Sequence, residues 1–245
     1  AALLDEQLQA WRERPLGPCP YVYLDAHYEK VRQAGQVSDA AVLKAIGVNS
    51  EGKREILGVS VSLSEHEVHW RTFLSDLVSR GLTGVLLITS DAHAGLTAAR
   101  KAVFGGVPWQ RCQFHLQQNA QAYVPRIGMR RQVASDIRSV FHAPNLTEAD
   151  RLLAQLVDRY SDSAPKLAAW AEENLPEGLT VFRFPSNHWR RIRTANSVER
   201  LNKEIRRRSR VATLFPNEAS CLRLVTAVVM EISEEWQTNR IYLRI

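Results

Sequence analysis

Apolar and β-branched residues alternate with polar ones over Tyr21 to His27, Val42 to Val48 and Ile56 to Leu63, a period-2 pattern that predicts three strands. The cluster Asn49-Ser50-Glu51-Gly52 between the second and third is a turn signal, so the three are expected as an antiparallel meander. From Ser64, read as an N-cap with Glu67 three residues on, the spacing of Val68, Phe73, Leu74, Leu77 and Val78 becomes helical and ends at Gly81. Val85 to Thr89 then reads as a buried strand, Ala92 to Phe104 as a helix stopped by Gly105-Gly106, and Trp109 to Cys112 as one more short strand.

Beyond His115 the pattern is helical, over Gln117 to Tyr123, Gln132 to Phe141, Thr147 to Tyr160 and Lys166 to Asn174, with one strand expected at Leu179 to Phe184. A basic helix begins near Asn196, and a long last helix, opened by Pro216-Asn217-Glu218, runs to Gln237. A short amphipathic helix from Asp5 to Arg14 precedes Pro15, Gly17, Pro18 and Pro20. The chain therefore divides into an N-terminal helix and linker (1–20), a first part of an α/β core (21–116), an α-helical insertion (117–186), and a last part of the core with the C-terminal helix (187–245).

A chain of 245 residues, 45% hydrophobic and 24% charged, can bury one substantial core or two modest ones. No apolar run approaches the roughly 20 residues that span a bilayer, and Ala-Ala-Leu-Leu-Asp-Glu-Gln lacks the basic-then-apolar order of a signal peptide. A cytoplasmic protein without a membrane partner is expected. Cys19, Cys112 and Cys221, odd in number and widely spaced, are expected to be reduced.

Charge changes the picture more than composition does. Nine basic residues (Arg190, Arg191, Arg193, Arg200, Lys203, Arg206, Arg207, Arg208, Arg210) and two acidic ones give the segment 190–210 a charge of +7, against +6 for the whole chain. The remainder sums to −1, so the positive charge is a local stripe suited to docking phosphates. Three carboxylates stand in unlike settings. Asp25 interrupts the apolar run Tyr-Val-Tyr-Leu-Asp-Ala-His-Tyr, where an ionised group is costly to bury; Asp91 closes Leu-Leu-Ile-Thr-Ser; Glu199 lies within the basic helix. A divided metal site for phosphodiester chemistry would use such groups. On the basic helix, Glu199, Asn202, Lys203 and Arg206 recur at i, i+3, i+4 and i+7 and share a face, beside an apolar stripe of Val198, Leu201 and Ile205.

A meander followed by helix, strand, helix, strand, with acidic residues on the first strand and after the fourth, is the layout of a ribonuclease H-like fold: an α/β mixed five-stranded sheet flanked by helices, here with an all-α insertion before the last catalytic helix. Leu24-Asp25-Ala26, Thr89-Ser90-Asp91-Ala92-His93-Ala94-Gly95-Leu96, Trp109-Gln110-Arg111-Cys112-Gln113-Phe114-His115 and Asn196-Ser197-Val198-Glu199-Arg200-Leu201-Asn202-Lys203-Glu204-Ile205-Arg206-Arg207 resemble the Mutator-type bacterial insertion-sequence transposases, over nearly the whole chain. The resemblance implies that Asp25, Asp91 and Glu199 are the catalytic DDE carboxylates and the ligands of two Mg²⁺ ions, for which Mn²⁺ substitutes. It also implies cleavage of transposon-end DNA by water and joining of the freed 3′-hydroxyl to target DNA, by a homodimer, with no small-molecule substrate. It further implies an N-terminal helical region that reads transposon ends. Thr194-Ala195-Asn196-Ser197-Val198-Glu199 departs from the family's usual words, since Ala195 removes a hydroxyl and Ser197 a proline.

Blander readings stand beside these. Asp91 can be the N-cap of the helix that follows it, and Glu199 can pair with Lys203 at i,i+4. Trp189, Arg193, Arg200, Asn202, Lys203, Arg206 and Arg207 are the residues chosen for DNA contact, though Trp189 can equally be core and a charge run can be a solvated face. Cys112 and His115 match the family's C-x-x-H motif, but no second pair completes a zinc site, so they are read as supporting residues near Asp91. The rival activities are a structure-specific nuclease and a non-catalytic DNA-binding derivative.

Overall fold

The computed structural model describes residues 2–209, 214–239 and 241–245, without the side chains of Ala2, Asn196 and Ser197; Arg210 of the basic run lies outside the described residues. The chain is α/β, with a five-stranded mixed sheet flanked by helices, the architecture expected for a ribonuclease H-like fold. It separates into two units, one of Ala1–Ile88, Ala92–Pro108 and Ala195–Ile245, the other of Thr89–Asp91 and Trp109–Thr194.

In the first unit, α1 (Ala2–Glu13) leads to β1 (Tyr21–Gln33), β2 (Gln36–Val48) and β3 (Arg54–Ser62), an antiparallel meander in which Asp25 lies opposite Lys44 and Gln33 opposite Gln36. Tyr21 to Leu24 and Ala40 to Val48 are buried on both faces, so burial there does not alternate as the period-2 reading expected, and both faces carry apolar side chains. The first hairpin is six residues longer in β1 and in β2 than the sequence predicts. Its outer part, from Tyr28 to Val37, is mostly exposed and offers no burial alternation; Ala34 (φ 47°) and Gly35 (φ 81°) close it with the two left-handed residues that match strand twist. The predicted turn before β3 is present: the Asn49 Oδ1 accepts from the backbone N–H groups of Glu51 and Lys53, and Gly52 takes φ 75°.

Next comes α2 (Glu67–Ser79), which begins later than the Ser64 cap predicts, with His66 at the N-cap position. It buries Phe73, Leu74 and Leu77 of the predicted stripe, together with Trp70, whereas Val68 and Val78, also expected in that stripe, are exposed at the edges of the buried face. The sheet continues in the order β3-β2-β1-β4-β5, with β4 at Leu87–Ser90 and β5 at Trp109–Arg111; between them runs α3 (Ala94–Val103). Gly95 lets α3 approach the backbone of residues 65–67 so closely that no Cβ would fit.

The second unit has its own apolar centre. Here α4 (Gln113–Ala120), α5 (Arg130–Phe141), α6 (Leu146–Tyr160) and α7 (Pro165–Asn174) direct Leu116, Val133, Ile137, Phe141, Leu156, Leu167 and Trp170 into one cluster. Fully burying each such side chain contributes about 1.5–3 kcal/mol. Leu179 to Phe184 is not a strand. It forms a 3₁₀ turn (Thr180–Arg183) because the buried Gln110 holds it, accepting from the Val181 N–H at 2.7 Å and donating to the Gly178 carbonyl at 2.8 Å. A short helix missed in the sequence, α8 (Ser186–Ile192), follows; α9 (Asn196–Ser209) and α10 (Glu218–Thr238) return to the first unit, where Ser233 accepts from Ile56 N–H of β3.

Candidate active site

Asp25 is held by two donors on one oxygen. The Asn202 side-chain amide of α9 donates to its Oδ2 at 2.8 Å, and the Lys44 ammonium lies 3.4 Å from the same atom. Lys44 is the residue directly opposite Asp25 in the hairpin, so strand register alone brings the charges together. Its side chain is 0% exposed. Burial drives its pKa down to about 8, with Asp25 opposing that shift and Arg206 adding to it.

Behind Lys44 the polar line continues. The Lys44 ammonium donates to His27 Nδ1 at 2.5 Å, and His27 Nε2 is 3.1 Å from Glu29 Oε1. Burial lowers the His27 pKa, so a neutral ring, accepting at Nδ1 and donating from Nε2, fits both contacts. Alternation along β1 puts Asp25, His27 and Glu29 on one face. The sequence signal for Lys44 was the one that singled out Asp25, a charged side chain inside an apolar run.

On α9, Val198, Leu201 and Ile205 are buried and Glu199 is half-buried, while Arg200, Lys203 and Arg206 are exposed. Of the face predicted to carry Glu199, Asn202, Lys203 and Arg206, Asn202 turns toward β1, where it reaches Asp25, and Arg206 acts on Lys44, while Lys203 is exposed. Arg200, Lys203 and Arg206 form no ion pair among the described residues. Arg207 and Arg208 do: both bind Glu204, and Arg208 also binds Glu231 at 2.6 Å.

Asp91 is described in the second unit. It is not an N-cap, because His93 occupies that position ahead of α3. Ser90, just before it, is fixed by Trp109 Nε1 donating to its hydroxyl at 2.9 Å and by Cys112 N–H donating to its carbonyl at 2.8 Å. The nearly buried Arg111 places Nε 3.8 Å from Asp91 Oδ1, and its Nη1 donates to Asn174 Oδ1 and Glu177 Oε2, both at 2.9 Å. Arg111 was not singled out in the sequence. Cys112 is buried and occupies the N-cap position of α4, the helix that carries His115. Trp189 donates to the Phe184 carbonyl at 2.7 Å and packs edge-on against Phe182 while remaining half-buried; Arg193 is half-buried, with burial and then Arg190 lowering its pKa.

Hard divalent cations take oxygen donors. Beside Asp25, the Asn202 Oδ1 is buried without a hydrogen-bond partner among the described residues, so an oxygen acceptor stands idle next to a carboxylate, and this donor set fits such an ion. Among the described residues, no three His, Cys, Asp or Glu side chains are gathered closely enough to hold a metal.

The chain thus has an α/β sheet with an acidic residue on its first strand and another just after its fourth, and a basic helix, α9. Residues 1–239 match the family model described as Transposase, Mutator family. The chain is 56% identical over 243 residues to the transposase for insertion sequence element IS406 of Burkholderia multivorans, covering 99% of this chain and 63% of the relative. It is 43% identical to the transposase for ISRM5 of Rhizobium meliloti, with 98% and 60% covered, and 42% identical to the transposase for IS1081 of Mycobacterium tuberculosis, with 98% and 58% covered. The chain belongs to the Mutator family of transposases. It spans about three-fifths of the length of these relatives. No helix among the described residues is long and apolar enough to cross a membrane.

Proposed function

We propose that this chain is the catalytic core of a DNA transposase that cleaves transposon ends and joins the freed 3′-hydroxyl to target DNA, using Asp25, Asp91 and Glu199. The observation that carries the reading is the 2.8 Å hydrogen bond from Asn202 to Asp25, which ties an acidic strand residue to the basic helix that bears Glu199. Asp25, Asp91 and Glu199 would hold Mg²⁺ or Mn²⁺, two ions per site, with Asn202 Oδ1 a further oxygen beside Asp25. Bound there, such ions would activate the attacking hydroxyl and stabilise the leaving oxygen. Asn202 and Lys44 hold one oxygen of Asp25 and so restrict its rotation. Arg111 restrains Asp91 through a weaker, 3.8 Å contact. Arg200, Lys203 and Arg206, with no carboxylate partner among the described residues, bind backbone phosphates; Trp189 and Arg193 would add contacts near the cleaved end.

Transposon-end and target DNA are the partners in this reading, and a homodimer in the cytoplasm handles paired ends. The test supplies labelled pre-cleaved terminal repeats, a plasmid target and Mg²⁺ or Mn²⁺ to the chain. Joined products from the parent, lost in Asp25→Asn, Asp91→Asn and Glu199→Gln, are expected. Joining that persists in any of the three would remove that residue from the site, and cleavage without joining would favour a structure-specific nuclease.

A further inference from the structure

The positive charge is not confined to the 190–210 stripe. Between Asp91 and Asp136 the chain has no acidic residue at all and six basic ones: Arg100, Lys101, Arg111, Arg126, Arg130 and Arg131. The last three fall within six residues, on either side of the 3₁₀ turn Ile127–Met129, and all three are exposed. We infer that this turn is a second DNA-contact surface, distinct from α9, which grips the phosphate backbone of duplex DNA with Arg126, Arg130 and Arg131. The inference rests on the transposase reading above.

Four observations within the second unit support it. First, none of the three guanidinium groups has an ion-pair or hydrogen-bond partner among the described residues, whereas Arg111, Arg151 and Arg159 of the same unit each bind a carboxylate. Second, the only acidic residue of α5, Asp136, is already engaged: it accepts from Arg159, Tyr160 and Gln132 at 2.7–2.9 Å. Third, Arg130 and Arg131 occupy the first turn of α5, which has no acidic residue to offset them. Cations there oppose the helix dipole, so the placement does not serve the fold. Fourth, the turn is firmly based yet apolar at its tip. Val124 is buried and Tyr123 stacks on Trp170 with centroids 5.3 Å apart, while Ile127 is 81% exposed, more than any other large hydrophobic among the described residues. Polyanion contact explains the arginines, and a groove or an unstacked base step accommodates an exposed apolar side chain between them.

The surface reads charge, not sequence. The test measures binding of the 245-residue chain to a 30-base-pair duplex, and to a scrambled duplex, over a series of salt concentrations. Removing three phosphate contacts in Arg126→Ala/Arg130→Ala/Arg131→Ala should flatten the slope of log K against log salt by about 3, equally for both duplexes. The triple lysine variant should restore most of that slope. A parallel Arg200→Ala/Lys203→Ala/Arg206→Ala variant gives the comparison. If it flattens the slope while the 126/130/131 variant matches the parent, the second surface is wrong and the transposase reading stands. If the parent chain binds neither duplex, both fall. If the 126/130/131 variant keeps the parent's slope but changes its sedimentation, the arginines serve a protein contact and the inference is overturned.

Discussion

Replacing Lys44 by Met isolates the cost of burying an ammonium group beside Asp25. Lys44 is fully buried, and its pKa falls from 10.5 to about 8 even though Asp25 is 3.4 Å away, so desolvation outweighs attraction. The direction follows from proton counting. Between pH 8 and 10.5 the unfolded chain still holds this proton while the folded chain has released it, so stability rises with pH across that window. The penalty on the charged form is fully present below pH 8 and gone above 10.5. At about 1.4 kcal/mol per pH unit, the rise amounts to about 3 kcal/mol. Lys44→Met has no such proton and should lack this component. Urea unfolding of both proteins at pH 7.5, 8.5, 9.5 and 10.5, with EDTA to keep cations off Asp25, gives the difference directly, because all other titrating groups are common to the pair. The parent should gain about 3 kcal/mol relative to the variant from the lowest pH to the highest. Parallel curves would refute the claim that the buried ammonium is charged at a cost.

Two further predictions concern the scaffold. Gly95→Ala should destabilise the first unit by about 2 kcal/mol or more, because its Cβ would meet the backbone of Glu65 and Glu67, not a side chain that can swing aside; a melting temperature equal to the parent's would count against that close approach. Gln110→Leu keeps the size but removes the acceptor for Val181 N–H, and should cost about 2–3 kcal/mol by denaturant unfolding, with faster amide exchange at Val181.

The readable parts of the sequence were those in which burial imposes a pattern, an unbroken apolar run where both faces of a strand are covered and helical spacing where one face of a helix is. Tyr21 to Leu24, Leu74 and Leu77, and the stripe Val198, Leu201 and Ile205 are all buried where spacing put them. The outer half of the first hairpin was not readable, because Tyr28 to Val37 is largely solvated and its pairing is set by Ala34 and Gly35. Leu179 to Phe184 has strand-like apolar content, yet one buried glutamine 70 residues upstream bends it into a 3₁₀ turn, and tertiary bonding overrides local preference. Ser64 and Glu67 have capping-box spacing, but the helix waits until Glu67. Asp25 was conspicuous as a charge in an apolar strand. Lys44 was as conspicuous by the same criterion, but its significance depends on register, and register appears only once the hairpin is built.

The basic stripe shows how misleading a charge count can be as a measure of a binding surface. Of the four basic residues Lys203, Arg206, Arg207 and Arg208, the last two share Glu204, and Arg208 also takes Glu231, so part of the nominal charge of α9 is spent within the protein. Glu204 illustrates the strength of that engagement: its two arginine hydrogen bonds hold its pKa down at about 2. Arg207 is thus a weaker candidate for DNA contact than its position in the run suggests, whereas Arg200, Lys203 and Arg206 keep their charge for an external anion. The same test, applied to the second unit, separates Arg151 and Arg159, which are paired, from Arg126, Arg130 and Arg131, which are not. Absence of an internal carboxylate is therefore a necessary mark of a docking cation in this chain, and within the insertion it is the grouping of Arg126, Arg130 and Arg131 inside six residues that adds to it.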